Sequence, residues 1–275
     1  MTYSPQLAVQ LLHLAEASYC PDSRVSSWHC PPCKLVPSFN VTHIVSNSAH
    51  DTHGLVGHDG ETITAAFRGT DPLQIKSWIV DLKSAVLVDY PEAGCAGCKV
   101  GGGFLHAFEA VRNETVEAVL QLKRTFPQYP VRLTGHSLGA AYVALLAMEL
   151  WRNGVTNLTV VTFGQPRVGN AVFASGYSNA SAASRSTSWR LTHFADPVPH
   201  LPLEAMSFKH VPTEVHYNEA NSRYAVCDGS GEDSHCADGV LAPLLLTDHW
   251  TYLGANFLDE FVRCKVVVEG NEGRR

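Results

Sequence analysis

Val131-Arg-Leu-Thr-Gly135-His136-Ser137-Leu138-Gly139-Ala140-Ala141 is the stretch on which the reading of the whole chain turns. Val131 to Thr134 reads as a short buried strand, and Leu138 to Trp151 as a largely apolar helix. G-x-S-x-G lies between them. A strand that turns straight into a helix at this motif puts its serine on a sharp elbow, flanked by glycines because the turn leaves no room for side chains. Ser137 then projects from the C-terminal edge of a sheet, and the next helix turns its N-terminus toward any negative charge developing there. The bare motif is weak, and a plain Gly-Ser-Gly turn is its bland alternative. The strand before and the helix after make it specific.

Working outward, Ser4-Pro5 caps and starts an N-terminal helix carrying Leu7, Leu11, Leu14, Ala15 and Ala17. Val41 to Ser46 predicts a strand, and Gly54–Gly57 with Thr62–Phe67 a hairpin about Asp59-Gly60. Phe104, Phe108, Val111, Thr115, Val119 and Leu122 share one face of a helix over Gly103–Phe126, ended by Pro127. Leu158–Phe163 and Trp189–Phe194 predict further strands. The Ser- and Ala-rich stretch Gly176–Ser188 reads as a surface loop, and the polar tail Glu269–Arg275 as frayed. Strands alternating with helices give an α/β class: a mixed, mainly parallel central sheet with helices on both faces.

The composition, 45% apolar and 17% charged, suits a globular enzyme. Its formal charge is −6, with no Lys/Arg stripe, which excludes nucleic acid as a partner. No run approaches the roughly 20 apolar residues of a membrane span, so no transmembrane segment is expected. Eight cysteines form two C-x-x-C pairs plus four others. A Cys₄ zinc site is the alternative to disulfides, but the pairs lack zinc-ribbon context, and no metal is expected. Disulfides explain all eight and point to an oxidising compartment. Asn40-Val-Thr, Asn113-Glu-Thr, Asn157-Leu-Thr and Asn179-Ala-Ser fit the N-glycosylation pattern. The N-terminus carries no apolar leader, and the expectation is a secreted protein, or one of the secretory lumen, whose signal peptide has been removed.

Gly135-His136-Ser137-Leu138-Gly139, with Phe67-Arg68-Gly69-Thr70 before it and Phe163-Gly-Gln-Pro166-Arg167-Val168-Gly169-Asn170 after it, resembles the class 3 lipase family. That family includes fungal-type triacylglycerol lipases and related feruloyl esterases. The likeness runs in the family's order from Ala17-Ser-Tyr-Cys20 to Asp248-His249-Trp-Thr-Tyr-Leu-Gly254. It departs at Ala140, where many members have glycine, and over Asp71–Lys76, where the spacing is slightly longer. The resemblance implies the α/β-hydrolase fold over residues 1–275 and a serine lipase acting on acylglycerols through an acyl-enzyme. No cofactor is implied, and nothing calls for an obligate protein partner.

A serine hydroxyl needs a base, and the base an orienting carboxylate. Hydrolases of this fold carry them in the order Ser, Asp/Glu, His. Among fourteen histidines, His249 lies late and matches the family's catalytic histidine. Asp196 follows the strand Arg190–Phe194, on the same sheet edge as the elbow, and Asp-Pro-Val-Pro-His-Leu-Pro resembles the family's aspartate segment. Asp248 is the rival, but neighbouring side chains in a loop seldom face each other. Leu138 offers a backbone N–H to the oxyanion by position, and Thr70 matches the family's second donor.

Ile75, Trp78, Ile79 and Leu82 fall at i, i+3, i+4 and i+7, giving an amphipathic helix where the family carries its lid, here residues 71–82. Permanent core is the alternative for this stripe. The resemblance pairs Cys20 with Cys264, Cys95 with Cys98, Cys30 with Cys33 as in lipases, and Cys227 with Cys236 as in feruloyl esterases. The mixture leaves open a lipase at a lipid–water interface, a feruloyl or other carboxyl esterase on soluble esters, and a phospholipase A1. A non-catalytic binding module is the alternative of another class, which a fluorophosphonate would separate.

Overall fold

The computed structural model describes residues 2–272. In chain order its strands are β1 (Asn40–Asn47), β2 (Thr52–His58), β3 (Ile63–Phe67), β4 (Leu87–Asp89), β5 (Lys99–Gly101), β6 (Val131–His136), β7 (Thr159–Phe163), β8 (Gly169–Asn170), β9 (Thr187–His193), β10 (Phe208–Lys209), β11 (Glu214–Tyr217), β12 (Tyr224–Val226), and the two-stranded ribbon β13 (Thr251–Tyr252) and β14 (Ala255–Asn256). Its helices are α1 (Pro5–Ala17), α2 (Asp22–Ser26), α3 (Ile75–Leu82), α4 (Gly102–Thr125), α5 (Leu138–Arg152), α6 (Ala171–Ala183), α7 (Leu246–Trp250) and α8 (Phe257–Glu272). The main sheet has the order β1-β2-β3-β6-β7-β9-β11-β12. β3, β6, β7, β9 and β11 run parallel, and β1, β2 and β12 add antiparallel edges. It is a mixed, mostly parallel sheet of the α/β-hydrolase kind.

Successive residues of a strand face opposite sides, and a sheet covered on both faces needs apolar residues at both. Val160 and Val161 of β7, Leu55 and Val56 of β2, and Ala65 and Ala66 of β3 each divide between two cores in this way. One core lies under α4, α5 and α6, with Phe104, Phe108, Leu145 and Phe173. The other lies under α1 and α8, with Leu11, Leu12, Phe257 and Phe261. Ser4 caps α1 by accepting from the Leu7 amide, with Pro5 as first residue.

Three sequence expectations need correction. Gly176–Ser188 is not a loop: α6 runs through Ala183, and only three residues link it to β9. Asn170 caps α6 by accepting from the Phe173 amide at 2.9 Å, and Phe173, Ala174 and Tyr177 bury one face at helical spacing. Serines on the other face hid the pattern. The tail, read as frayed, continues α8 through Glu272, while its last three residues lie outside the described ones. Phe194, read as strand, has φ of 33° and leaves β9 one residue early. β4, β5, β8 and β10 form a small second sheet whose strands are too short to show periodicity.

Four disulfides join Cys20–Cys264, Cys30–Cys33, Cys95–Cys98 and Cys227–Cys236, so neither C-x-x-C pair offers thiolates to a metal. No helix among the described residues is long and apolar enough to cross a membrane.

Candidate active site

The elbow is built by exclusion. Ser137 takes φ 56° and ψ −124°, a conformation side chains adopt only under constraint. A Cβ on Gly135 would lie 2.6 Å from the Gly139 carbonyl oxygen, and one on Gly139 would lie 2.3 Å from the Arg68 oxygen. Any larger residue at either flank would open the turn. The Ser137 amide donates to the Phe163 carbonyl at 2.9 Å, tying the elbow to β7.

Parallel strands ending at one sheet edge bring residues distant in sequence together there. Ser137 Oγ lies 2.9 Å from His249 Nε2. His249 Nδ1 lies 2.9 and 3.0 Å from the two Asp196 carboxylate oxygens. An ionised carboxylate only accepts, so Nδ1 carries the imidazole proton and Nε2 is free to take the serine's. All three side chains are buried. Asp196 also accepts from the Val198 amide at 2.8 Å and from the Tyr252 hydroxyl at 2.6 Å. Burial, then the adjacent Asp196 charge, push the Tyr252 phenol well above its usual range, so it stays a donor. Asp248, the rival carboxylate, instead accepts from the Ala195 amide at 3.1 Å and makes no hydrogen bond to the His249 side chain.

Thr70 follows β3 and Leu138 follows β6, neighbouring strands of the sheet, and Gly69, just before Thr70, lies against Ser137. The Thr70 hydroxyl is buried with no hydrogen-bond partner. Leu138 is the first residue of α5, where helix amides have no intrahelical acceptor. A buried orphan hydroxyl is costly unless something completes it, and a developing oxyanion would. Asp51 holds this turn from outside, pairing with Arg68 and accepting from the Asp71 amide at 3.1 Å. Burial alone would raise the Asp51 carboxyl, but the Arg68 hydrogen bond and charge outweigh it and hold it below the usual carboxylate range.

α3 buries Ile75 and Leu82, while Trp78 and Ile79 are half-buried and pack against both cores. A cavity of about 490 Å³ lies beneath it, lined by Trp78, Leu82, Val86, Phe104, Leu138 and Tyr142 among others. Exposed apolar side chains flank the site on two segments. Leu73 and Val80 belong to the first, and Leu241, Leu244 and Leu245 to the stretch running into α7. Sequence reasoning overlooked the second, although Val240–Leu246 is an uncharged apolar run directly before Asp248-His249. It also gave no role to Tyr252, three residues past His249, or to Tyr19, although both lie inside the stretches that carry the family likeness.

Residues 64–206 match the family model described as Lipase (class 3). The lipase of Rhizomucor miehei is 34% identical over 238 residues, covering 84% of this chain and 63% of that protein. The secreted mono- and diacylglycerol lipase A of Penicillium cyclopium is 30% identical over 199 residues, covering 72% of this chain and 62% of that protein. The chain therefore spans somewhat under two thirds of the length of these curated relatives. A solved triacylglycerol lipase, described as having a serine protease triad as its catalytic centre, superposes with a TM-score of 0.80 at 33% identity, covering 92% of this chain and 95% of that one.

Proposed function

The chain belongs to the class 3 lipase family, and from that premise we propose that it is a secreted serine lipase that hydrolyses acylglycerol esters. The observation that carries this is the unbroken row Ser137–His249–Asp196 beside the orphan Thr70 hydroxyl. Ser137 Oγ attacks the ester carbonyl as His249 Nε2 takes its proton, and the oxyanion is held by Thr70 and the Leu138 amide. The imidazolium then protonates the leaving alcohol. Water, deprotonated by His249, releases the acid from the acyl-enzyme. Asp196 keeps the imidazole oriented and stabilises its charge. Four disulfides support an extracellular or secretory-lumen site, since such bonds persist in oxidising compartments.

Residues 1–275 act in this reading as one catalytic unit, with 71–82 as its lid. Ser137 is buried, so an ester reaches it only after something above it moves. α3 follows Thr70 and shares a cavity with Leu138, and its inner face is Ile75, Trp78, Ile79 and Leu82. Exposing roughly 300 Å² of that face to water would cost on the order of 7 kcal/mol at about 25 cal/mol/Å². A lipid surface removes most of that cost, and the leucines of 241–245 would meet the same surface.

The test is hydrolysis rate against tributyrin concentration across its solubility limit, with wild type and Ser137→Ala side by side. A jump as droplets form, absent from the variant, is expected. A smooth saturating curve together with strong turnover of methyl ferulate would move the protein to the soluble-ester esterases.

A further inference from the structure

Tyr19 lies two residues beyond α1, beside the bridged Cys20, in a stretch that carries the family likeness but no assigned role. Its ring is buried against Phe257 and Phe261 of α8, at centroid distances of 5.7 and 6.4 Å. Its hydroxyl has two partners. The Gly69 amide donates to it at 2.8 Å, and His136 Nδ1 lies 2.7 Å away. On the far side of the imidazole, His136 Nε2 lies 2.8 Å from the backbone carbonyl oxygen of His249.

The directions of these bonds follow from what each group can do. A carbonyl only accepts, so His136 Nε2 carries a proton. Burial, and then the neighbouring His249 imidazole, hold His136 well below its ordinary pKa, so the ring is neutral and Nδ1 is bare. Tyr19 must therefore donate to Nδ1 while accepting from Gly69. The row reads Gly69 N–H to Tyr19 Oη, Tyr19 O–H to His136 Nδ1, and His136 Nε2–H to the His249 carbonyl. Each hydroxyl or ring group in it donates once and accepts once.

Both ends of this row are in the active site. A Cβ on Gly69 would lie 2.6 Å from Tyr19 Oη and 2.7 Å from Ser137 Cβ, so Tyr19 and Ser137 grip the residue before Thr70 from two sides. His136 is the residue before Ser137 and is stacked on Phe257 at 3.9 Å and 11°. We propose that Tyr19 is a positioning residue. Its hydroxyl sets the oxyanion turn at Gly69–Thr70 and the backbone of His249 relative to Ser137, and the Cys20–Cys264 bridge beside it holds α1 and α8 so that it can. This rests on the ester-hydrolase reading and adds to it a residue that no reacting atom touches.

Tyr19→Phe keeps the ring and removes the hydroxyl. On dissolved p-nitrophenyl butyrate it should lower kcat by roughly 10- to 100-fold with KM within about twofold, as misplacement of preorganised groups does. In a Thr70→Ala background the same substitution should cost less than about threefold, because coupled groups are non-additive. Unchanged kcat, or the same loss in both backgrounds, would overturn the proposal. If Tyr19→Phe does not fold, the ring nitrogens of His136 in ¹⁵N-labelled wild type decide. A non-titrating Nε2–H tautomer between about pH 5 and 8 supports the row, and an Nδ1–H tautomer or a titrating ring overturns it. A wild type that neither turns over the ester nor reacts with a fluorophosphonate removes the ester-hydrolase reading instead, so the two failures are distinguishable.

Discussion

In the proposed mechanism the hydroxyl of Ser137 is worth little as a nucleophile until His249 accepts its proton, and His249 is poorly aimed until Asp196 fixes its tautomer. Removing members of such a row has unequal consequences. Ser137→Ala should lower kcat by about 10⁶, and Asp196→Asn by about 10⁴, because the amide donates to Nδ1 and turns the bare nitrogen away from serine. An Asp196→Asn enzyme retaining near-full kcat would point to Asp248 as the orienting carboxylate. Thr70 contributes differently, since its orphan hydroxyl meets charge only in the transition state. Thr70→Ala should lower kcat by about 10²–10³ with KM little changed, measured by initial rates on a dissolved ester. Ser137 was legible because strand, elbow and helix are contiguous in sequence. Asp196 and His249 were legible mainly through resemblance. The role of Tyr19 was not, because its partners Gly69 and His136 are 50 and 117 residues away and the likeness of its own stretch does not point to them.

At the level of elements, legibility followed length. The long apolar faces of α4 and α5 and the strands between them were plain in the sequence, whereas two- and three-residue strands such as β8 and β5 carry no period to read. α6 was hidden for another reason: its buried face needs only Phe173, Ala174 and Tyr177, and the serines opposite imitate a loop. The segment before α7 is a third case, since its leucines fit no element period and are instead exposed, Leu241 fully and Leu244 to 78%. Water gives no reason for that arrangement, whereas the lipid surface of the proposed function would. Leu241→Ser with Leu244→Ser should reduce turnover of emulsified tributyrin by roughly 10- to 30-fold, as about 1 kcal/mol of transfer energy is lost per leucine. Hydrolysis of dissolved p-nitrophenyl butyrate should be unchanged. Equal losses on both substrates would mean that the segment supports His249 rather than meeting lipid.

Across the whole molecule, the stability of the fold is tied to keeping buried imidazoles neutral. The Cys20–Cys264 bridge closes 244 residues while Cys30–Cys33 closes three. By chain entropy the first contributes about 5 kcal/mol and the second about 2. Urea midpoints of the paired serine variants should fall in that order. Acid acts through a different route. His210 is buried with Nε2 2.6 Å from the Pro199 carbonyl, and burial, then the charges of Arg190 and Arg167, hold its pKa well below the ordinary value of 6.5. In the unfolded chain it takes a proton near its ordinary pKa. Between that value and its lower folded one, the unfolded state binds one proton more than the folded state. Stability therefore rises with pH across this window and is lost as acid is added, by about 1.4 kcal/mol per pH unit for one such site. His136 acts in the same sense, while the raised carboxyls of Glu16 and Asp248 act in the opposite one. Comparing wild type with His210→Gln removes those shared contributions. Unfolding free energies from urea titrations below about pH 6.5 should fall less steeply in the variant, by about 1.4 kcal/mol per pH unit. Parallel curves would mean that His210 takes up its proton without unfolding the chain, and the imidazole part of the acid sensitivity would then rest on His136, His200 and His216.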